Sequence, residues 1–253
     1  MKILFKKGLL YFLCFTLVFC ISSISVYAND LNKGVSNKRS SSIKWIGHAS
    51  FEITNKSGTK IITDPFTSDM GYTLPELKAD IVTVSHGDFD HSNLQAVTSN
   101  FFAIRERGEF FQNFIKIKGI QTYHDNEKGA IYGENTVYTY NIDGVNVCHL
   151  GDLGHVLSPQ DLKNIGEVDV LLIPVGGIFT LELDSAIEVI NQLNPEVVIP
   201  MHYQTAALND WGLNKIDAFT DKMDGWEIES TDIFQFNKAE ISKTKNKIIL
   251  LSY

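Results

Sequence analysis

The chain is poor in cysteine, in net positive charge and in long apolar runs. Of its three cysteines, Cys14 and Cys20 lie at the very start, which leaves Cys148 alone in the body of the chain. A disulfide-stapled fold is therefore excluded after residue 28. Cys148 falls in the alternating stretch "VNVCHL", where a buried, inert thiol is expected. Lys and Arg number 22 against 30 Asp and Glu, a formal charge of −8. That balance lacks the basic footprint of a nucleic-acid binder. The glycine pair 176–177 is followed by no Lys-Ser/Thr, so no phosphate-binding P-loop is encoded there. No tandem repeat and no second domain boundary is visible.

The one extended apolar run is at the N-terminus. Lys2, Lys6 and Lys7 precede the nearly all-apolar Leu9–Ile21, and "VYA" sets Val26 and Ala28 at the −3 and −1 positions of a cleavage site. This is the three-part pattern of a secretory signal peptide over residues 1–28. The run is shorter than the roughly 20 residues of a spanning helix, so membrane contact is expected only if the segment stays uncleaved as an anchor. Cleavage removes three lysines and makes the chain three charges more negative. Residues 29–42, "NDLNKGVSNKRSSS", read as a flexible linker. A single domain over 43–253 follows, exported to the cell envelope or the medium. The sequence carries no signal of oligomeric state.

Strand-type runs occur at 43–47, 50–55, 59–63, 80–85, 114–123, 136–142, 145–150, 168–174, 196–201 and 246–251. Helical spacing occurs at 158–165, 181–193 and 214–224. In the middle helix Leu183, Ile187, Ile190 and Leu193 share a stripe, with Thr180 as N-cap. The pattern predicts a layered α/β fold with mixed sheets.

"IVTVSHGDFDHSN", residues 81–93, sets His86, Asp88, Asp90 and His91 directly after an apolar strand. At an extended strand end, residues i and i+2 point the same way, so His86 and Asp88 can converge on one ion. A turn beginning there sends Asp90 and His91 toward a neighbouring ion. His124, Asp152 and His202 each follow a further apolar strand, where ligands collect in α/β folds. Any one of these could be a satisfied core histidine or a capping aspartate. Their repetition at strand ends favours a metal site.

The series "IKWIGHASFEI", "TDP", "SHGDFDH", "TYHD", "HLGDLGH" and "VIPMHY" resembles the metallo-β-lactamase superfamily. It is most similar to the branch of small metal-dependent hydrolases that includes ascorbate-phosphate lactonase-like proteins. The resemblance implies an αββα sandwich with a dinuclear metal site, usually zinc, at the sheet edge. It implies that His86 and His124 bind the first ion, that Asp90, His91 and His202 bind the second, and that Asp152 bridges both. Asp64 of "TDP" would support the ligand loop, and Asp90 would also orient or deprotonate the attacking water. His48 and His155 match positions lining the site, as proton carriers, substrate contacts or supports behind the ligands. His149 alternates into the core. Tyr203 would line the site with its hydroxyl or pack.

Asp88 departs from the family's His-x-His-x-Asp-His. As an oxygen ligand it would shift preference from zinc toward Mn²⁺, Fe²⁺ or Mg²⁺. It would also make a core of two divalent ions, three aspartates and one hydroxide neutral. Loss of the first ion is the other reading. The expected function is an exported hydrolase of a small molecule, using a metal-bound hydroxide on a lactone, amide or phosphoester. A lactonase or phosphodiesterase acting on a lipid or sugar derivative is an alternative, as is a metal-binding module without turnover.

Overall fold

A computed structural model describes residues 40–208 and 210–253. The expected signal peptide and nearly all of the linker lie outside the described residues. Ser41 and Ser42, the last linker positions, already pair in the first strand, whose Ser41 hydroxyl donates to Asp143 at 2.7 Å.

Two mixed sheets carry the fold. The smaller holds β1 (Ser41–Gly47), β2 (Ser50–Thr54), β3 (Lys60–Thr63), β4 (Ile81–Thr83), β5 (Phe102–Ile104) and β13 (Phe234–Phe236), in the order β13-β1-β2-β3-β4-β5. The larger holds β6 (Gly108–Gln112), β7 (Ile115–Tyr123), β8 (Glu134–Ile142), β9 (Val145–His149), β10 (Val170–Pro174), β11 (Val197–Met201), β12 (Glu227–Thr231) and β14 (Lys247–Leu251). Its order is β12-β14-β11-β10-β9-β8-β7-β6. Strands β6 to β9 pair antiparallel, while β9, β10, β11, β14 and β12 pair in parallel. The parallel strands "VLLIP" and "VVIPM" are buried throughout, as strands covered on both faces must be.

The main core lies between the sheets. Ile43, Phe51, Ile53 and Ile61 of the smaller sheet join Ile117, Val137, Tyr140 and Val147 of the larger in one cluster. The period of two along a strand sends alternate residues the other way. Ile62 and Val82 thus enter a second cluster with Phe66, Met70 and Tyr72 on the outer face. Helices α1 (Pro159–Ile165) and α2 (Leu183–Leu193) pack on β7 and β10 of the larger sheet. Short helices α3 (Ile216–Thr220) and α4 (Lys238–Ile241) complete the set. The arrangement is the expected α/β sandwich. Its outer layer on the smaller sheet is thin, however. Among the described residues that cluster draws on strands, loops and a 3-10 turn, not on an α-helix.

α1 starts with a reciprocal capping box between Ser158 and Asp161 and with Pro159 in its first turn. α2 differs from expectation at its start. Glu182, not Thr180, is the N-cap, and Thr180 is buried in the preceding loop. α3 is shorter than 214–224 because Lys222 and Met223 bond three residues back and close the helix into turns. Strands β5, β6 and β12 were not legible because most of their side chains are exposed, which erases the alternation.

Candidate metal centre

Five strand ends and one hairpin turn converge on one edge of the sandwich. β3 ends at Asp64, β4 runs into the loop with His86, Asp90 and His91, and β7 ends at His124. β9 leads to Asp152, β11 ends at His202, and the β1–β2 turn holds His48. His48, Asp64 and His202 adopt left-handed backbone angles, with φ of 53°, 37° and 52°. Such angles cost non-glycine residues on the order of 1–2 kcal/mol each, so the surrounding packing must impose them. Part of that packing is Gly176, where an added Cβ would overlap the His202 carbonyl. At Gly151 (φ +55°) a Cβ would meet Ser85 and Asn135, so only glycine lets the Asp152 turn approach so closely.

Asp152 is the hub. Its Oδ2 lies 3.2 Å from the Nε2 atoms of His91, His124 and His202 alike. Three ring nitrogens around one carboxylate oxygen require positive charge between them, from protons or from metal ions. His91 Nδ1 donates to Asp64 Oδ2 at 3.0 Å. Asp64 also accepts the Ser85 main-chain N–H at 2.7 Å and the Ser85 hydroxyl. Ser85 Oγ in turn accepts from His86 Nδ1 at 2.9 Å. These bonds fix the Nδ1–H tautomers and leave the Nε2 lone pairs of His86 and His91 for a cation. Both Nε2 atoms and Asp152 Oδ1 are buried without a hydrogen-bond partner. His48 Nε2 lies 3.1 Å from Asp90 Oδ2, and the His48 ring lies 4.0 Å from that of His202, tilted by 40°.

Ligand-type atoms fall within metal-holding distance of one another in three overlapping sets. One is His86, His124 and Asp152; another is His48, Asp90, His91 and His202; the third is Asp64, His86 and His91. Nitrogen-rich sets with carboxylates, buried and with open lone pairs, fit divalent metal ions.

Electrostatics follow from this crowding. Burial works to raise the Asp152 carboxyl, but the charges of His202 and His91 and the hydrogen bonds from His124 and His202 hold it well below the usual range. Asp90 is likewise pushed up by burial and pulled further down by His48 and His91. Burial lowers His91, yet Asp152, Asp64 and Asp90 together raise it well above an ordinary histidine. His48 is lowered to about 3 by burial and by neighbouring His202, and His86 to about 4 by burial and by His91. The centre thus pairs electron-rich carboxylates with imidazoles of contrasting basicity.

The structure brings together His86, Asp90, His91, His124, Asp152 and His202, with His48 beside them as expected of a residue lining the site. Asp64 stands behind them, as expected. Asp88 is not brought in. Its side chain is 59% exposed, its Oδ2 is 3.5 Å from His86 Nε2, and it belongs to none of the three sets. The loop turns at 88–91, with the His91 N–H bonded to the Asp88 carbonyl at 3.0 Å, and this leaves the Asp88 side chain at the mouth. His155 is not brought in either. Its Nδ1 donates to the Val156 carbonyl and its Nε2 accepts the Tyr123 N–H, so both nitrogens are used in holding the strand end before His124. Tyr203 packs, with its ring 5.1 Å from Trp45 in the main core. His149 is a core residue bonded to the Ala49 carbonyl at 2.8 Å.

Sequence reasoning missed the walls. A cavity of about 480 Å³ opens over Asp90, His124, Asp152 and His202, and its sides are Phe89, Tyr132, Phe179 and Trp211. These four residues come from four separate loops, so no local pattern links them. Sequence reasoning also missed Asn135, whose side chain accepts the Asp152 N–H at 3.0 Å and donates to the Leu150 carbonyl at 2.9 Å.

Comparison with known proteins gives the same class. Residues 42–202 match the Beta-lactamase superfamily domain, and the chain belongs to the metallo-β-lactamase superfamily. A UPF0173 metal-dependent hydrolase of Nanoarchaeum equitans is 29% identical over 224 residues, covering 78% of this chain and 97% of that relative. One from Methanopyrus kandleri is 31% identical over 197 residues, covering 64% and 84%. A Thermotoga maritima structure, provisionally described as a Zn-dependent hydrolase of the metallo-β-lactamase superfamily, superposes with a TM-score of 0.70. It is 38% identical and covers 83% of this chain and 98% of its own.

Proposed function

We propose that this metal-dependent hydrolase is exported, holds two divalent ions at the Asp152 hub, and cleaves a carboxylic ester, lactone or amide by attack of water on its carbonyl carbon. The observation that carries the reading is the single carboxylate oxygen shared by His91, His124 and His202. His86, His124 and Asp152 would hold one ion, and Asp90, His91 and His202, with Asp152 between, the other. The N-rich donor sets favour zinc; an exposed Asp88 removes the reason to prefer manganese or iron. When bound, the ions supply an acidified water and neutralise charge developing on the substrate oxygen.

The chain's own residues perform the rest. Asp90 accepts the proton of the attacking water. His48, kept neutral by burial, donates through Nε2–H to Asp90 Oδ2 and so holds that carboxylate in the cavity lining. The Asp64–His91 bond keeps the His91 ring from turning away. The aromatic walls limit the water that reaches the reacting atoms.

Elemental analysis of the purified full chain is the test. About two ions per chain, falling below one in Asp152→Ala, supports the reading. Equal metal in both proteins refutes the bridging role. A panel of carbonyl and phosphoryl substrates then separates an esterase from a phosphoesterase and from a silent metal-binding module. Export rests on the pattern of residues 1–28 and predicts envelope or medium protein beginning at Asn29; an intact Met1 in a membrane fraction would instead show an anchor.

A further inference from the structure

The mouth of the cavity is an unbroken arc of rings. Phe89 lies 6.4 Å from Trp211, Trp211 lies 6.3 Å from Phe179, and Phe179 lies 6.3 Å from Tyr132. Two of its rings are tied to the site. Trp211 meets His48 edge-on at 5.8 Å, and Tyr132 lies 5.4 Å from His124. Trp211 and Tyr132 are therefore placed against groups at the reacting edge.

The loops spend energy to hold this arc. Ile178, next to Phe179, has φ of +61°. A β-branched residue in that region is a genuine strain of roughly 1–3 kcal/mol, the kind that persists at binding sites. Its side chain is half-exposed, so core burial does not account for it. Tyr132 is fixed differently. The Asp125 carboxylate accepts four main-chain N–H groups, those of Glu127, Gly129, Ile131 and Tyr132 itself, at 2.7 to 2.9 Å.

Among the described lining residues Asp88 is the charged side chain at the mouth, since Asp90 and Asp152 are proposed ligands on the floor, and no lysine or arginine lines the cavity. The ring faces are themselves negative. A phosphate or carboxylate on the substrate would find no cation at the mouth, and would face an exposed Asp88.

From this juxtaposition we infer that the aromatic arc selects substrates whose acyl or leaving group is neutral and apolar, a medium-chain or aryl ester or lactone, and rejects those bearing an anionic group there. The inference rests on the hydrolase reading above and names its substrate class. A cavity of about 480 Å³ suits a group of that size. The reaction balances with water alone. Water oxygen bonds to the carbonyl carbon, and the acyl–oxygen bond breaks. One water proton goes to the leaving alkoxide, through Asp90, and the acid product keeps or releases the other.

The test is a matched pair on the zinc-loaded full chain, para-nitrophenyl hexanoate against the para-nitrophenyl half-ester of adipic acid. The two share an acyl chain and differ by a terminal carboxylate. We expect kcat/KM to favour the neutral ester by about tenfold or more. Trp211→Ala and Phe179→Ala should each reduce that preference several-fold, mostly through KM. Phe114→Ala, on a remote exposed turn, should leave it unchanged. Binding of hexanophenone, a ketone that cannot be hydrolysed, is followed in parallel by tryptophan fluorescence. Trp211→Phe should remove the signal that Trp45 and Trp226 do not report. Equal or better turnover of the adipate half-ester overturns the selectivity and leaves the hydrolase intact. Hexanophenone bound through Trp211, and not displaced by adipate, with neither ester cleaved, supports the arc and sinks the esterase reading. No hexanophenone binding overturns the arc.

Discussion

At the floor of the cavity Asp64 and His91 are fully buried and hydrogen-bonded to each other; at its mouth Phe89 and Tyr132 are 61% and 46% exposed. Floor residues sit at the ends of core strands and inherit their rigidity. Mouth residues sit in loops, which can change without disturbing the core. The floor therefore determines what chemistry is available, and the mouth determines which molecule reaches it. Each region can be perturbed separately, and the sizes of the effects should rank accordingly.

The hub should matter most. Asp152→Ala removes the oxygen common to three histidines, and activity should fall by more than ~100-fold together with metal content. Activity that survives with its metal intact would end the distinction between floor and mouth. One layer further back, Asp64→Ala frees Ser85 and His91 while leaving every proposed ligand in place. Metal affinity should drop by about 10–100-fold, read by competition with a chromophoric chelator. A change in stability with unchanged metal affinity would assign Asp64 to folding alone.

Asp125 belongs to both regions, since it follows His124 and organises the Tyr132 loop. Asp125→Ala should lower the midpoint of thermal unfolding measurably, because four main-chain donors lose a charged acceptor. Burial works to raise this carboxyl, but those donors lower it from 3.8 to about 2. A depressed pKa means that the stabilisation is full above 3.8 and is lost as pH falls through about 2. Hydrogen exchange of residues 127–132 should therefore loosen only at the acid end of that window. The smallest effect should come from Asp88→Ala. A largely exposed side chain outside the ligand sets should change metal content little, within about twofold on the scale of exposed substitutions. A tenfold loss would return Asp88 to the first ion and merge mouth with floor.

Legibility in the sequence followed the same division. His86, Asp90, His91, His124, Asp152 and His202 were readable because each follows an apolar strand, at its end or in the loop beyond, so strand pattern and ligand chemistry coincide. Asp64 was readable through "TDP". Asp88 stands apart because spacing along the chain does not say which way a side chain points once the backbone turns, and of the roles open to His155 the structure shows the support behind the ligands. The turn at 88–91 sends Asp88 outward, and the Tyr123 and Val156 main chains claim His155. Phe89, Tyr132, Phe179 and Trp211 were invisible because aromatic residues in loops carry no periodicity, and only the folded chain brings them into one arc. In the fold, the buried parallel strands were legible and the exposed edge strands were not.

Cys148 carries a consequence of another kind. Its thiol is wholly buried in the main core, and burial raises it far above an ordinary cysteine. In a chain that begins after residue 28 it is also the lone sulfhydryl. A thiol reagent in solution then has a single target, reachable only when the two sheets part. The reaction becomes a clock built into the native sequence. Its rate measures how often the sandwich opens, and comparing it with and without zinc would show how far the metal edge keeps the whole molecule shut.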